Sequence, residues 1–146
     1  MNGNGGKAKG RGRKSPRVRV LLVDDSEEFL NSATGFLTMD SEVEVIGRAR
    51  SGAEAIEQAL RLRPDLILMD AAMPGMSGFD ATREIKSLSD PPLVIIVTMH
   101  DNAEYRALAE SAKADDFVGK PDFGDAVMPL IEKLFSGRWE PGSRWL

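Results

Sequence analysis

The sequence predicts an α/β fold, a parallel sheet covered by helices on both faces. Short apolar runs recur five times along the chain, and each is followed by a stretch with apolar residues at helical spacing. One run, Leu66–Met69, has no polar side and is bounded by Pro64 before and Pro74 and Gly75 after, as in a strand buried on both faces of a parallel sheet. That run ends on a carboxylate, Asp70, and ligands of such sheets sit at the carboxyl ends of the strands. Asp70 therefore stands where chemistry is expected, with a turn or helix-capping role as the plain alternative.

The elements follow in order. Residues 1–16 are Gly, Lys and Arg without apolar periodicity, which reads as a disordered basic arm. The first strand is Arg17–Val23, ending at Asp24-Asp25. Ser26 caps a helix whose first turn holds Glu27 and Glu28 and whose apolar face is Phe29, Leu30, Ala33, Phe36 and Leu37. A second strand, Val43–Ile46, is expected to end at Gly47. Ser51 with Glu54 forms a capping-box pattern ahead of Ala55, Ile56, Ala59 and Leu60, and Pro64 closes that helix. After the third strand, a helix from Ser77 carries Phe79 and Ile85, with Leu88 near its end. Pro91 and Pro92 introduce the fourth strand, Leu93–Val97, which ends at Thr98. The fourth helix, Asn102–Ser111, carries Tyr105, Leu108 and Ala109. The fifth strand, Asp116–Gly119, runs into Lys120-Pro121. The last helix is expected over Asp125–Phe135, with Val127, Leu130, Ile131 and Leu134 inward, a late start or bend at Pro129, and a stop at Gly137.

Five strands alternating with five helices imply βαβ units with right-handed crossovers. The natural arrangement is the flavodoxin-like (βα)5 doubly wound sheet, strand order 2-1-3-4-5, with a site at the switch between strands one and three.

Composition narrows the function classes. A chain of 146 residues suits one domain, and 42% hydrophobic with 29% charged residues suits a soluble globular one. Without cysteine there is neither a disulfide framework nor a thiolate metal site. No apolar run approaches the ~20 residues of a membrane span. The N-terminus lacks the apolar segment of a secretory signal, so a cytoplasmic protein is expected. Seven of the nineteen basic residues and no acidic ones fall in residues 1–19, leaving twelve against twenty-three acids in the rest. An acidic body suits a cation or a basic partner and speaks against nucleic-acid binding by the domain itself.

Four strand ends converge at the expected switch point. They supply Asp24 and Asp25, Asp70, Thr98 and Lys120. Singly, each has a plain reading as a helix cap, a β-branched strand residue or a solvated lysine. Together they make a chemical set. Three carboxylates in one pocket repel unless a cation is present, and hard oxygen ligands suit Mg²⁺. A lysine and a hydroxyl nearby are what an incoming phosphoryl group needs. A carboxylate attacking phosphorus to form an acyl phosphate uses all five residues.

These residues carry a resemblance. LLVDDS at 21–26, LILMDAAMPGMSGFD at 66–80, IIVTMHD at 95–101 and DDFVGKP at 115–121 resemble the motifs of the receiver domain of bacterial response regulators, over residues 17–136. The TMHD run is most similar to the NarL/LuxR-type branch. The resemblance implies that Asp70 is the phosphoacceptor, that Asp25 binds Mg²⁺ directly and Asp24 through water, and that the Ala72 backbone carbonyl completes the metal site. It implies that Lys120 pairs with the phosphoryl group ahead of a cis Pro121 peptide bond. Thr98 would swing to the phosphate, and Phe117 would follow it inward as the switch aromatic. Ala72 and His100 would occupy the positions that tune phosphoryl lifetime. The implied partners are a sensor histidine kinase or phosphotransfer protein and, on phosphorylation, a second copy of the chain. The implied output surface is the fourth helix, fifth strand and fifth helix.

Residues 137–146, GRWEPGSRWL, read as a C-terminal tail or linker too short for a DNA-binding domain. The expectation is a single-domain regulator, or a receiver from a longer chain with a transcriptional output. A phosphohydrolase of the haloacid-dehalogenase type would want an acid two residues after the nucleophile, where this chain has Ala72. A protein-interaction module independent of phosphorylation is the remaining alternative.

Overall fold

The computed structural model describes residues 17–136. The basic arm expected at 1–16 and the tail at 137–146 lie outside the described residues. The elements are β1 (Val18–Val23), α1 (Glu27–Leu37), β2 (Val43–Ala49), α2 (Gly52–Leu62), β3 (Leu66–Asp70), α3 (Gly78–Lys86), β4 (Leu93–Thr98), α4 (Ala103–Ser111), β5 (Asp116–Gly119), a 3₁₀ turn (Lys120–Asp122) and α5 (Phe123–Phe135). The strands form one parallel sheet in the order β2-β1-β3-β4-β5. This is the doubly wound arrangement expected from the sequence.

Alternation along the strands divides the core in two. Leu21, Val23, Ile67, Met69, Val94 and Ile96 face α2, α3 and α4. Val20, Leu22, Leu66, Leu68, Ile95 and Val97 face α1 and α5. A side-chain period of two on strands covered on both sides requires apolar residues at every position, hence the continuous runs.

Each of the first four helices begins on a polar side chain that accepts from the first turn: Ser26 from Phe29 N, Ser51 from Glu54 N, Ser77 from Asp80 N and Asn102 from Tyr105 N. The Glu54 carboxylate in turn accepts the backbone N–H of Arg50 at 2.6 Å. At the far end of α2 the chain turns through Arg63 in the left-handed region, and the Arg19 guanidinium donates to the carbonyls of Leu62 and Arg63.

Several expectations are corrected. β2 does not end at Gly47 but runs to Ala49, because the pairing with β1 slips by one residue between Val20 and Leu21. Gly47 follows that slip, and a Cβ there would press on Leu62 at 2.7 Å. α5 starts at Phe123 rather than near Asp125, since the 3₁₀ turn leads straight into it, and Pro129 sits inside the helix. No peptide bond is cis among the described residues, so Pro121 is trans. A trans proline has the φ that the first turn of a helix needs. Leu60 and Leu108 point outward, 55% and 37% exposed, while Phe123 and Phe135 join Val127 and Ile131 on the buried side of α5.

Candidate functional site

The site lies at the carboxyl edge of the sheet. β1 delivers Asp24 and Asp25, β3 delivers Asp70, β4 delivers Thr98 and β5 delivers Lys120 through the 3₁₀ turn. Asp24, Asp70 and Thr98 are buried, Asp25 and Lys120 half-buried.

Two local devices fix the carboxylates. Asp24 Oδ1 accepts the backbone N–H of Ser26 at 2.9 Å, a short turn that carries the chain from β1 into α1. After Asp70 the chain loops through Gly75, whose φ is +77°, and returns to donate the Gly78 N–H to the Ala71 carbonyl at 2.8 Å. α3 therefore starts against the backbone of Asp70. A Cβ on Gly78 would fall on the Asp70 carbonyl oxygen, so only glycine fits.

One carboxylate oxygen from each of Asp24, Asp25 and Asp70 lies within 4.8 Å of the others. Lys120 Nζ is 2.8 Å from Asp24 Oδ2 and 3.9 Å from Asp70 Oδ1. The ammonium also sits over the Phe29 ring, 4.5 Å from its centroid. The Asp24–Lys120 contact is an ion pair without hydrogen-bond alignment, so buried Oδ2 makes no hydrogen bond. Burial pushes the Asp70 carboxyl up to about 7, and Asp24 pushes the same way; Lys120 and the Ala72 backbone N–H pull it down. Three crowded carboxylates, one lysine and a buried oxygen lacking a donor make a set that fits a hard divalent cation such as Mg²⁺.

The outer residues divide into two groups. Thr98 Oγ1 accepts the His100 N–H at 3.0 Å, and β4 pairs Val97 with Asp70, which sets Thr98 one step beyond the acceptor strand. Ala72 and His100 are exposed, His100 with its ring 5.4 Å from that of Tyr105. Phe117 already lies inward, buried in the α3/α4 core. The Arg106 guanidinium covers its ring at 4.6 Å and is held by Asp101 at 2.7 and 3.0 Å. Sequence reasoning places Phe29 in the core and passes over Arg106 and Asp101. A lone aromatic or a surface charge carries no local signal of such contacts.

The model of the response regulator receiver domain matches residues 20–130. The chain belongs to the response regulator receiver family. Accepting a phosphoryl group is the general function of receivers in two-component systems, and histidine kinases or phosphotransfer proteins are their partners. This receiver is 41% identical over 112 residues to a protein-glutamate methylesterase/protein-glutamine glutaminase of Rhizobium etli, covering 76% of this chain and 32% of that protein. It is 35% identical over 121 residues to the response regulator protein VraR of Staphylococcus saprophyticus, covering 82% of this chain and 57% of that protein. A crystal structure of a LuxR-family two-component response regulator from Aurantimonas superposes with a TM-score of 0.78 at 27% identity, over 84% of this chain and 87% of that one. The receiver thus spans about a third of the methylesterase and just over half of VraR. Among the described residues no helix is long and apolar enough to cross a membrane.

Proposed function

We propose that this receiver takes a phosphoryl group onto Asp70 from a phosphohistidine of a sensor kinase or phosphotransfer protein, in a Mg²⁺-dependent reaction. The observation that supports it is the placement of Asp70, buried at the end of β3, within 4.8 Å of two further carboxylates and facing Lys120. An Asp70 oxygen attacks phosphorus in line, the new O–P bond forms as the P–N bond breaks, and the bonding pair returns to the imidazole.

Asp24, Asp25 and Asp70, with the Ala72 carbonyl, would hold the ion. When bound, Mg²⁺ offsets charge on the phosphoryl oxygens and lowers the proton affinity of Asp70. Lys120 lies nearer Asp24 than Asp70, so it leaves Asp24 to reach the phosphoryl group. Thr98 releases the His100 N–H and turns its hydroxyl to the same group. Phe117, packed under Arg106, then has its inward position favoured through β5. Ala72 offers no side chain to hold an attacking water, and His100 stands beside the site as the second lifetime-tuning position.

The output face is α4, β5 and α5, where Leu108 of α4 stands exposed for a partner or a second copy. We propose a transcriptional output for a chain carrying this receiver, residues 17–136 forming the receiver unit, and the TMHD run supports it. Intact-mass measurement after incubation with acetyl phosphate tests the reaction. One added phosphoryl group with Mg²⁺, none with chelator and none in Asp70→Asn is the expected result. Normal labelling of Asp70→Asn overturns the assignment.

A further inference from the structure

Phe29 carries no reacting group, yet its ring meets the lysine at the centre of the site. It is the third residue of α1, and its backbone N–H donates to the Ser26 hydroxyl that caps the helix. Ser26 directly follows Asp24 and Asp25, so the start of α1 sets the ring beside the strand end that carries both carboxylates. From the other side, the 3₁₀ turn is closed by the Phe123 N–H, which donates to the Lys120 carbonyl. Side chains three apart in such a turn eclipse, so Lys120 and Phe123 project to the same side. Both meet Phe29. Lys120 Nζ lies over its ring, 4.5 Å from the centroid, and the Phe123 ring makes an edge contact at 5.4 Å and 74°. Phe36, two turns further along α1, backs Phe123 at 6.1 Å. The Phe29 ring is thus held by Phe123 while it offers a face to the ammonium.

The ammonium has few other holds. The Lys120 side chain is 15% exposed, its contact with Asp24 at 2.8 Å lacks hydrogen-bond alignment, and Asp70 is 3.9 Å away. A lysine stem is flexible and samples many rotamers unless its head is fixed. A ring face attracts a cation within about 6 Å of its centroid. Passing from Asp24 to a group on Asp70 moves Nζ by about 1 Å, which keeps it within that range. An aliphatic side chain at position 29 would fill similar space and offer the charge nothing.

We propose that Phe29 is a positioning residue for phosphoryl acceptance, its ring face keeping the Lys120 ammonium between Asp24 and Asp70 and away from rotamers that point to solvent. The role goes beyond the core packing that the sequence suggests for this phenylalanine. It rests on Asp70 being the phosphoacceptor and Lys120 the partner of the phosphoryl group.

Successive fluorines on a phenyl ring withdraw electron density from its face while nearly keeping its shape. They weaken the hold on a cation and leave packing in place. The full chain is made with the phenylalanine at position 29 replaced by its monofluoro, difluoro and trifluoro forms. The initial rate of acyl-phosphate formation is read by intact mass with acetyl phosphate and Mg²⁺. The rate is expected to fall stepwise, to about one-fifth in the trifluoro form, with an unchanged far-UV circular dichroism spectrum. Phe29→Leu is expected to lose at least as much. In the slower Lys120→Met background the fluorine series is expected to be flat. Equal labelling rates across the series in the parent chain overturn the positioning role and leave the assignment of Asp70 standing. A stepwise fall that persists in Lys120→Met also overturns it, since the ring then acts through something other than the ammonium. A folded parent chain that takes no label with Mg²⁺ overturns the assignment of Asp70, and the positioning role with it.

Discussion

Lys120 pairs with Asp24 rather than with the acceptor Asp70, its ammonium 2.8 Å from Asp24 Oδ2 and 3.9 Å from Asp70 Oδ1. The side chain is poised between two acids, with the Phe29 ring beneath it. A reach of about 1 Å separates pairing with Asp24 from pairing with a group on Asp70. Removing the ammonium leaves buried charge uncompensated. We expect Lys120→Met to lower stability in chelator by about 2–3 kcal/mol, an effect limited by protonation of Asp70, and to recover most of it in Mg²⁺. Phosphoryl acceptance should fall about 10²-fold. Urea unfolding with and without Mg²⁺, alongside mass labelling, checks both.

The Asp70 carboxyl gives stability a pH slope. In the folded chain it holds its proton up to about 7, against 3.8 for an ordinary aspartate. The folded state therefore binds more protons than the unfolded one between these values. The stability contributed by the neutral carboxyl is complete below 3.8 and is lost as pH rises through about 7. Asp70→Asn removes that slope. With screening by solvent at the pocket mouth, the variant should exceed the parent above pH 7 by on the order of 1–2 kcal/mol in chelator. Urea midpoints across the pH range measure it, and equal slopes for the two proteins would refute it.

Gly78 holds the acceptor loop closed. A methyl group there would meet the Asp70 carbonyl oxygen, with the Asp70 carbonyl carbon at 2.8 Å and Ala71 Cα at 3.0 Å. Backbone atoms cannot step aside as a side chain can. Gly78→Ala should destabilise the chain by about 2–3 kcal/mol and slow phosphoryl acceptance, because Asp70 is displaced with its backbone. Gly124→Ala is the control, since nothing lies within 4 Å of a Cβ at that position. Urea unfolding of the two variants, with mass labelling of each, checks the difference.

The Arg106–Phe117 stack is a further structural dependence. Phe117→Ala should cost about 3 kcal/mol through the cavity left in the core under α3 and α4. Arg106→Ala, which uncovers one face of the ring at an exposed site, should cost about 0.5–1 kcal/mol. Chemical unfolding of both variants gives the ratio, and equal costs would contradict a packing role for the ring.

What is legible in the sequence follows from how local each signal is. Ser26, Ser51, Ser77 and Asn102 stand immediately before apolar periodicity, and each caps the helix it precedes. The runs at 18–23, 66–69 and 93–97 read as strands of a covered sheet, and strand ends in this topology bring Asp24, Asp25, Asp70 and Lys120 together. The failures involve partners far along the chain. The continuation of β2 past Gly47 depends on a register slip against β1, which no window of residues encodes. Family resemblance implies a cis bond at Pro121, but a 3₁₀ turn accommodates it as trans. Phe29 under Lys120 and Arg106 over Phe117 arise because separate elements meet at the carboxyl edge, and only the fold supplies that juxtaposition.

Everything proposed for the site turns on Asp70, and neither of its two acidic neighbours, carrying the phosphoryl group. Borohydride reduces an aspartyl phosphate to homoserine, so the protein labelled with acetyl phosphate and Mg²⁺ can be reduced, digested and sequenced by mass spectrometry. Homoserine is expected at position 70, and none at that position when chelator replaces Mg²⁺. Homoserine at Asp24 or Asp25, or at no position in a protein shown to be folded and Mg²⁺-bound, would contradict it.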